Sequence, residues 1–261
     1  MIMPAGAEKF IKETAKEAGA AVLKRFGKDG VHYAKSKRIW DVVTKADLLS
    51  EKIIVAHIRK MYPDHGIISE ESDTKNADAE YVWIIDPIDG TLNFATGTPL
   101  FGVMVCLTYK GKVILSVINI PATNEFFFAK AGKGTYFNGK RIRCSGRKDF
   151  FVTFGTGSTS LSPRATRFFG NLLKISRKGD MMFGSLGSMA NNACYTADGR
   201  RDWMVALNGS IWDFAPAVLI LKESGCKVTD TKGQPWKLGM LEMVAANPRL
   251  HKELLKLTKN I

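Results

Sequence analysis

The chain has 261 residues, 45% of them apolar, with 9 Pro and 38 Lys plus Arg against 25 Asp plus Glu, for a formal charge of +13. That composition excludes a disordered, fibrous or disulfide-scaffold protein, and the length allows one large domain or two smaller ones sharing an interface. The four cysteines, Cys106, Cys144, Cys194 and Cys226, include no C-x-x-C pair, so a zinc ribbon is not indicated and they read as reduced, mostly buried thiols.

From residue 7 to residue 26, Ile11, Ala15, Ala18, Val22 and Phe26 recur at three- and four-residue intervals between charged positions, which predicts an amphipathic helix. A second helix is expected from the N-cap Thr44, with Asp47 three residues on, to Pro63. The next elements are short β-rich runs at 66–69 and 81–85, each ending in acidic residues, so that two helices precede the first strand. An antiparallel meander is predicted at 101–109, 113–120 and 125–129, followed by a Gly-rich hairpin around Asn138 and Gly139. Beyond residue 150 the pattern alternates: a strand at 151–154, helices from Pro163 and Ser188, a strand near Trp203, a helix from Asp213 with Pro216 in its first turn, strands at 227–228 and 243–244, and a helix from Pro248. The glycines at 155 and 157 read as loop. Residues 1–150 are expected to form an α+β half carrying most metal ligands. Residues 151–261 are expected to form an α/β half supplying Asp213 and the substrate pocket across one shared interface.

No run approaches the ~18 apolar residues of a spanning helix, and Pro4, Gly6 and Glu8 interrupt any signal-like stretch, so a cytoplasmic protein without a membrane segment is expected. The positive excess favours anionic partners: phosphorylated metabolites, nucleic acid or an anionic surface. The basic residues Lys140, Arg141, Arg143, Arg147, Lys148, Arg200 and Arg201 read chiefly as solvated faces, with nucleic-acid binding the less favoured role. Gly132, Lys133, Gly134 and Thr135 echo the tail of a phosphate-binding P-loop, but without its first Gly or its strand-to-helix setting they read as a hairpin.

The chemistry concentrates in Asp86-Pro87-Ile88-Asp89-Gly90-Thr91. Two carboxylates stand three apart, next to a Gly that lets backbone approach a ligand and a Thr hydroxyl. Alone, such a string is an ordinary turn, Asp47 a first-turn helix acid and Asp213 a helix cap. If these segment ends and that of the 66–69 strand converge, Glu70, Asp86, Asp89 and Asp213 share one pocket. Two carboxylates about 4 Å apart repel by roughly 4 kcal/mol at an effective dielectric of about 20, so the cluster calls for protons or divalent cations. All-oxygen ligands point to Mg²⁺ or Mn²⁺. Strand alternation lets only one of Glu70 and Glu71 line such a site, while the other faces solvent or a lateral partner.

The sequence resembles the inositol monophosphatase family of lithium-sensitive, metal-dependent phosphomonoesterases. The matching segments are 43–47, 68–72, 83–94, 183–185 and 212–215, in the family's order and spanning nearly the whole chain. The resemblance implies a layered αβαβα sugar-phosphatase fold. It implies Glu70, Asp86 and the Ile88 carbonyl on one metal, Asp86, Asp89 and Asp213 on a second, and often a third ion near Glu70. It further implies that Thr91, paired with Asp47, orients the attacking water, that the Gly90 and Thr91 amides hold phosphate, and that the protein dimerises. Asp89, Asp213 and backbone near Gly187 are the expected sugar contacts. Inositol monophosphate is the expected substrate. Fructose bisphosphate, histidinol phosphate and 3′-phosphoadenosine phosphate compete with it, and an RNA- or protein-binding role is the alternative of another class. Two departures stand out. Residues 205–210 lack the acid that inositol-specific members use on a ring hydroxyl, and Met181-Met182 replaces an Arg usual before Gly184-Ser185.

Overall fold

The computed structural model describes residues 3–38, 41–157, 162–176, 181–259 and 261. Helix α1 (Ala7–Arg25) buries Ile11, Ala15, Ala18 and Val22, the expected stripe. A short hairpin, β1 (Tyr33–Ala34) with β2 (Val42–Val43), then intervenes before α2 (Lys45–Met61). Two residues per strand carry too little periodicity to be read from sequence, so the expectation that only helices precede the 66–69 strand is corrected. At the start of α2, Thr44 and Asp47 form a reciprocal capping box.

The first sheet has seven strands: β3 (Gly66–Ser69), β4 (Tyr81–Asp89), β5 (Gly102–Tyr109), β6 (Lys112–Ile120), β7 (Glu125–Lys130), β8 (Gly134–Phe137) and β9 (Lys140–Ile142). They pair in sequence order, parallel between β3 and β4 and antiparallel thereafter. A one-turn helix, α3 (Thr91–Ala95), follows β4. The P-loop-like stretch is the β7–β8 turn, whose Gly132 and Gly134 amides donate to Glu223 at 2.7 and 2.8 Å.

The second sheet runs in the order β11 (Met182–Gly184), β10 (Phe154–Gly157), β12 (Trp203–Ala206), β14 (Met243–Ala246), β13 (Lys227–Thr229). It is parallel among its first three strands and antiparallel beyond. Its helices are α4 (Pro163–Ser176), α5 (Met189–Ala197), α6 (Ile211–Glu223) and α7 (Pro248–Thr258). The expected strand at 151–154 forms later, as β10, and Gly155 and Gly157 belong to it rather than to a loop. A Cβ at Gly155 would lie 2.0 Å from the Trp203 ring, and one at Gly157 would lie 2.2 Å from the Val205 carbonyl. The glycines are there because a neighbouring strand needs the room.

Alternation along the strands sorts side chains into layers. Trp83, Ile85, Val103, Val105 and Val117 face α1 and α2, while Ile84, Met104, Cys106 and Ile118 face α5 and α6. The same central cluster takes Met204, Ala206, Met243 and Ala245 from the second sheet. Trp203, Val205, Val244 and Ala246 point the other way, onto α4 and α7. The result is the layered αβαβα arrangement. Helix α6 is sandwiched between the sheets and buried continuously from Phe214 to Leu221, as a helix apolar all round must be. It begins at Ile211, so Pro216 falls in its second turn rather than its first.

Candidate active site

The site forms where β4 ends. On a regular strand Asp86 and Asp89 would face opposite ways. Pairing with β5 runs Asp86 to Met104 but Asp89 to Gly102, so three steps on β4 oppose two on β5. Such a bulge re-aims side chains, and Pro87, which has no N–H to give a ladder, is tolerated there. Ser50 on α2 donates to the Pro87 carbonyl at 2.8 Å and pins the irregular stretch. Both carboxylates therefore reach one place.

Asp213 arrives from the first turn of α6, where its side chain accepts from the Ser210 amide in a second capping box. Carboxylate oxygens of Asp86, Asp89 and Asp213 all lie within 4.8 Å of one another. Asp86 is 1% exposed and its Oδ1 has no hydrogen-bond partner. Burial, then the charges of Glu70, Asp89, Asp213 and Asp47, push its carboxyl well above the usual range. Burial raises Asp89 to about 6, although Ser188 Oγ and the Ala190 and Met189 amides all donate to it. Asp213 is pushed to about 8 by burial and by Asp89. Three desolvated carboxylates with an orphaned oxygen between them fit a divalent cation, which would supply the missing counter-charge.

Glu70 sits at the margin of this group. Strand β3 stops at Ser69, so the alternation expected of Glu70 and Glu71 no longer applies and both turn to Lys35, at 2.8 and 2.6 Å from its Nζ. The carboxylate that does not line the site is expected to face solvent or a lateral partner, and Lys35 is such a partner for Glu71. Burial raises Glu71 to about 7. Lys35, from the β1–β2 hairpin, is held above its ordinary value by both carboxylates despite the opposing effect of burial.

On the other side of the bulge, Thr91 Oγ1 lies 2.8 Å from the Ile88 carbonyl and 3.1 Å from Asp47 Oδ1, donating to either. Asp47 is fully buried and also accepts from the Thr44 amide at 2.8 Å and from the Thr44 hydroxyl. Burial nonetheless raises it to about 6. Gly90 has φ +83°, and a Cβ there would lie 2.9 Å from the Leu100 carbonyl, so this turn admits only glycine without strain. Gly187, at φ +66°, packs against Asn93.

Three supporting residues were not picked out from sequence. Ser188 holds Asp89 and caps α5, Lys35 holds Glu70 and Glu71, and Asn93 donates to the Leu100 and Leu186 carbonyls at 2.7 and 2.8 Å. Only the N-cap signal of Ser188 was visible in advance. Arg200 is exposed, as the solvated reading expects, and ion-paired with Glu125 and Asp198, whereas Arg201 is half-buried and lies 3.7 Å over the Phe154 ring.

Residues 6–261 match the model of the inositol monophosphatase family. The chain belongs to that family. Its relatives include a fructose-1,6-bisphosphatase/inositol-1-monophosphatase of Thermotoga maritima, 35% identical over 85% of this chain and 84% of that protein. The Nus factor SuhB of Pasteurella multocida is 36% identical over 92% of this chain and 91% of its own length. Among solved structures, the extragenic suppressor protein suhB of Bartonella henselae superposes with a TM-score of 0.90 at 30% identity, covering 98% of this chain and 99% of that one. The Thermotoga maritima IMPase gives 0.85 at 33% identity, covering 96% of each. Membership of the inositol monophosphatase family supports a phosphatase, and the carboxylate group lies where β4, α5 and α6 of that fold meet. Among the described residues no helix is long and apolar enough to cross a membrane.

Proposed function

We propose that the protein is a Mg²⁺-dependent phosphomonoesterase acting on a small phosphorylated polyol or sugar, inositol monophosphate foremost. The observation that carries this reading is the group of buried Asp86 and Asp89 with half-buried Asp213, in which Asp86 Oδ1 is unpartnered and four like charges act on it. Asp86, Asp89 and Asp213, with Glu70 and the Ile88 carbonyl beside them, are the proposed ligands of two or three ions, Mn²⁺ substituting for Mg²⁺. When bound, such ions acidify water and offset charge on phosphate and on the departing alkoxide.

The protein's own groups then have separate tasks. With its proton directed to Asp47, Thr91 Oγ1 has lone pairs free to accept a hydrogen bond from the attacking water and fix its orientation. Buried and raised to about 6, Asp47 can stay ionised at neutral pH to keep the Thr91 proton on its side. The amides of Gly90 and Thr91, at the start of α3, are the proposed phosphate donors. With water as the proposed nucleophile no Ser, Cys or His nucleophile is needed, and the proposed reaction is direct hydrolysis. The homodimer belongs to the same reading.

Purified enzyme should hydrolyse phosphomonoesters with added Mg²⁺ and lose activity in chelator, millimolar Li⁺ should inhibit, and Asp86→Asn should fold yet lose nearly all turnover. Full activity in protein shown by elemental analysis to be metal-free would refute it. Relatives named Nus factor SuhB and the +13 charge favour a second reading, a basic surface engaging RNA or a protein complex. Salt-dependent RNA binding retained by Asp86→Asn would support that role.

A further inference from the structure

Cys144 follows β9 on the segment that crosses from the first sheet to the second, and Cys226 lies between α6 and β13. Eighty-two residues separate them in sequence (226 minus 144), yet the backbone brings them together. The Cys144 amide donates to the Ser224 carbonyl at 3.0 Å, and a Cβ on Gly225 would stand 3.8 Å from Cys144 Sγ. Ser224 Oγ is 3.8 Å from Cys226 Sγ, and both cysteines pack on the same hydrophobic cluster. We propose that Cys144 and Cys226 form a peroxide-oxidisable dithiol, in which Cys144 is the attacking sulfur and Cys226 resolves it to a disulfide.

The bland alternative is two small apolar side chains sharing a crevice. Cys106 and Cys194 fit that description, being fully buried with thiols raised by burial. Cys144 differs. It is half-buried, and the neighbouring Cys226 thiol lowers that of Cys144, while Cys144 and burial together raise that of Cys226. A more acidic, partly exposed thiol beside a second one is the arrangement found at oxidation-sensing cysteines.

The chemistry balances with hydrogen peroxide as oxidant. The Cys144 sulfur attacks one peroxide oxygen, the O–O bond breaks, and the departing hydroxide takes up the thiol proton as water, leaving a sulfenic acid. The Cys226 sulfur then attacks the Cys144 sulfur, the S–O bond breaks, and hydroxide leaves with the Cys226 proton as a second water. Two thiols lose two electrons in all and peroxide gains them. The new bond ties the inter-sheet crossing to the C-terminal end of α6, the helix whose first turn carries Asp213.

Full-length protein treated with hydrogen peroxide and then denatured should show two titratable thiols in place of four, with the mass of two hydrogens lost and a single cross-linked peptide joining positions 144 and 226. Its Tm should rise, and a reductant should reverse both changes. In Cys226→Ala the reaction should stop at a sulfenic acid on Cys144 that dimedone traps, and Cys144→Ser should retain its three thiols under the same treatment. An unchanged thiol count in the wild type, over-oxidation of Cys144 with Cys226 left free, or equal thiol loss in Cys144→Ser would each overturn the proposal.

Discussion

Replacing Asp47 with Asn should separate stability from catalysis. Asp47 is fully buried, and burial lifts it from 3.8 to about 6 even though Thr44 and Thr91 donate to it. The folded state thus binds this proton more tightly than the unfolded chain, so folding stability falls as pH rises between the two values and the cost is complete above about pH 7. Roughly two pH units at about 1.4 kcal/mol each come to about 3 kcal/mol. Asn mimics the neutral acid: its carbonyl oxygen can accept from the Thr44 amide and hydroxyl, and its NH₂ can donate to Thr91 Oγ1, which retains the Ile88 carbonyl as acceptor. In chelator, urea unfolding should therefore show Asp47→Asn close to wild type near pH 4 and about 3 kcal/mol more stable at pH 8. The other raised carboxyls are present in both proteins, and loss of the Asp47 charge also eases those of Asp86 and Glu71, which adds to the variant's advantage at pH 8. With Mg²⁺ the same variant should lose about a hundredfold or more in kcat with little change in KM, because the orienting charge behind Thr91 is gone. A difference in stability that does not grow with pH, or a variant less stable than wild type at pH 8, would refute the reasoning.

Thr91→Ala should likewise lower kcat far more than it raises KM, and the double variant with Asp47→Asn should lose much less than the product of the two single losses, since the pair acts as one unit; multiplicative losses would mean that the residues act independently. Residues 205–210 offer no acid to a ring hydroxyl, so kcat/KM across several small phosphomonoesters should stay within roughly a hundredfold, about 2.7 kcal/mol of differential transition-state binding. A preference above about a thousandfold for one inositol monophosphate over glycerol 2-phosphate would show that another residue supplies the contact. Gly155→Ala places a methyl 2.0 Å from the Trp203 ring and should destabilise the protein by about 1–3 kcal/mol, read as a fall in Tm; an unchanged Tm would show that the indole moves aside.

The sequence by itself determined the elements whose pattern is long enough to repeat. The stripe of α1, the capping box of α2, the meander of β5 to β7 and the Asn138-Gly139 turn are all local matters of period and backbone preference, written in adjacent residues. The string from Asp86 to Thr91 likewise announced its chemistry through residue type. Tertiary structure decided what those residues meet. The β4 bulge, set by pairing with β5, turns Asp86 and Asp89 to one side, and α6, trapped between two sheets, brings Asp213 to them. Lys35 finds Glu70 and Glu71 only because a two-stranded hairpin, too short to show a period, folds over the end of β3. Gly155 and Gly157 read as loop because nothing near them in sequence says that Trp203 and Val205 will press against their strand. Local pattern fixes which face of an element is apolar, whereas the partner buried against that face is chosen by packing over the whole chain, and at this site packing sets both the geometry of the carboxylates and the cost of their charge.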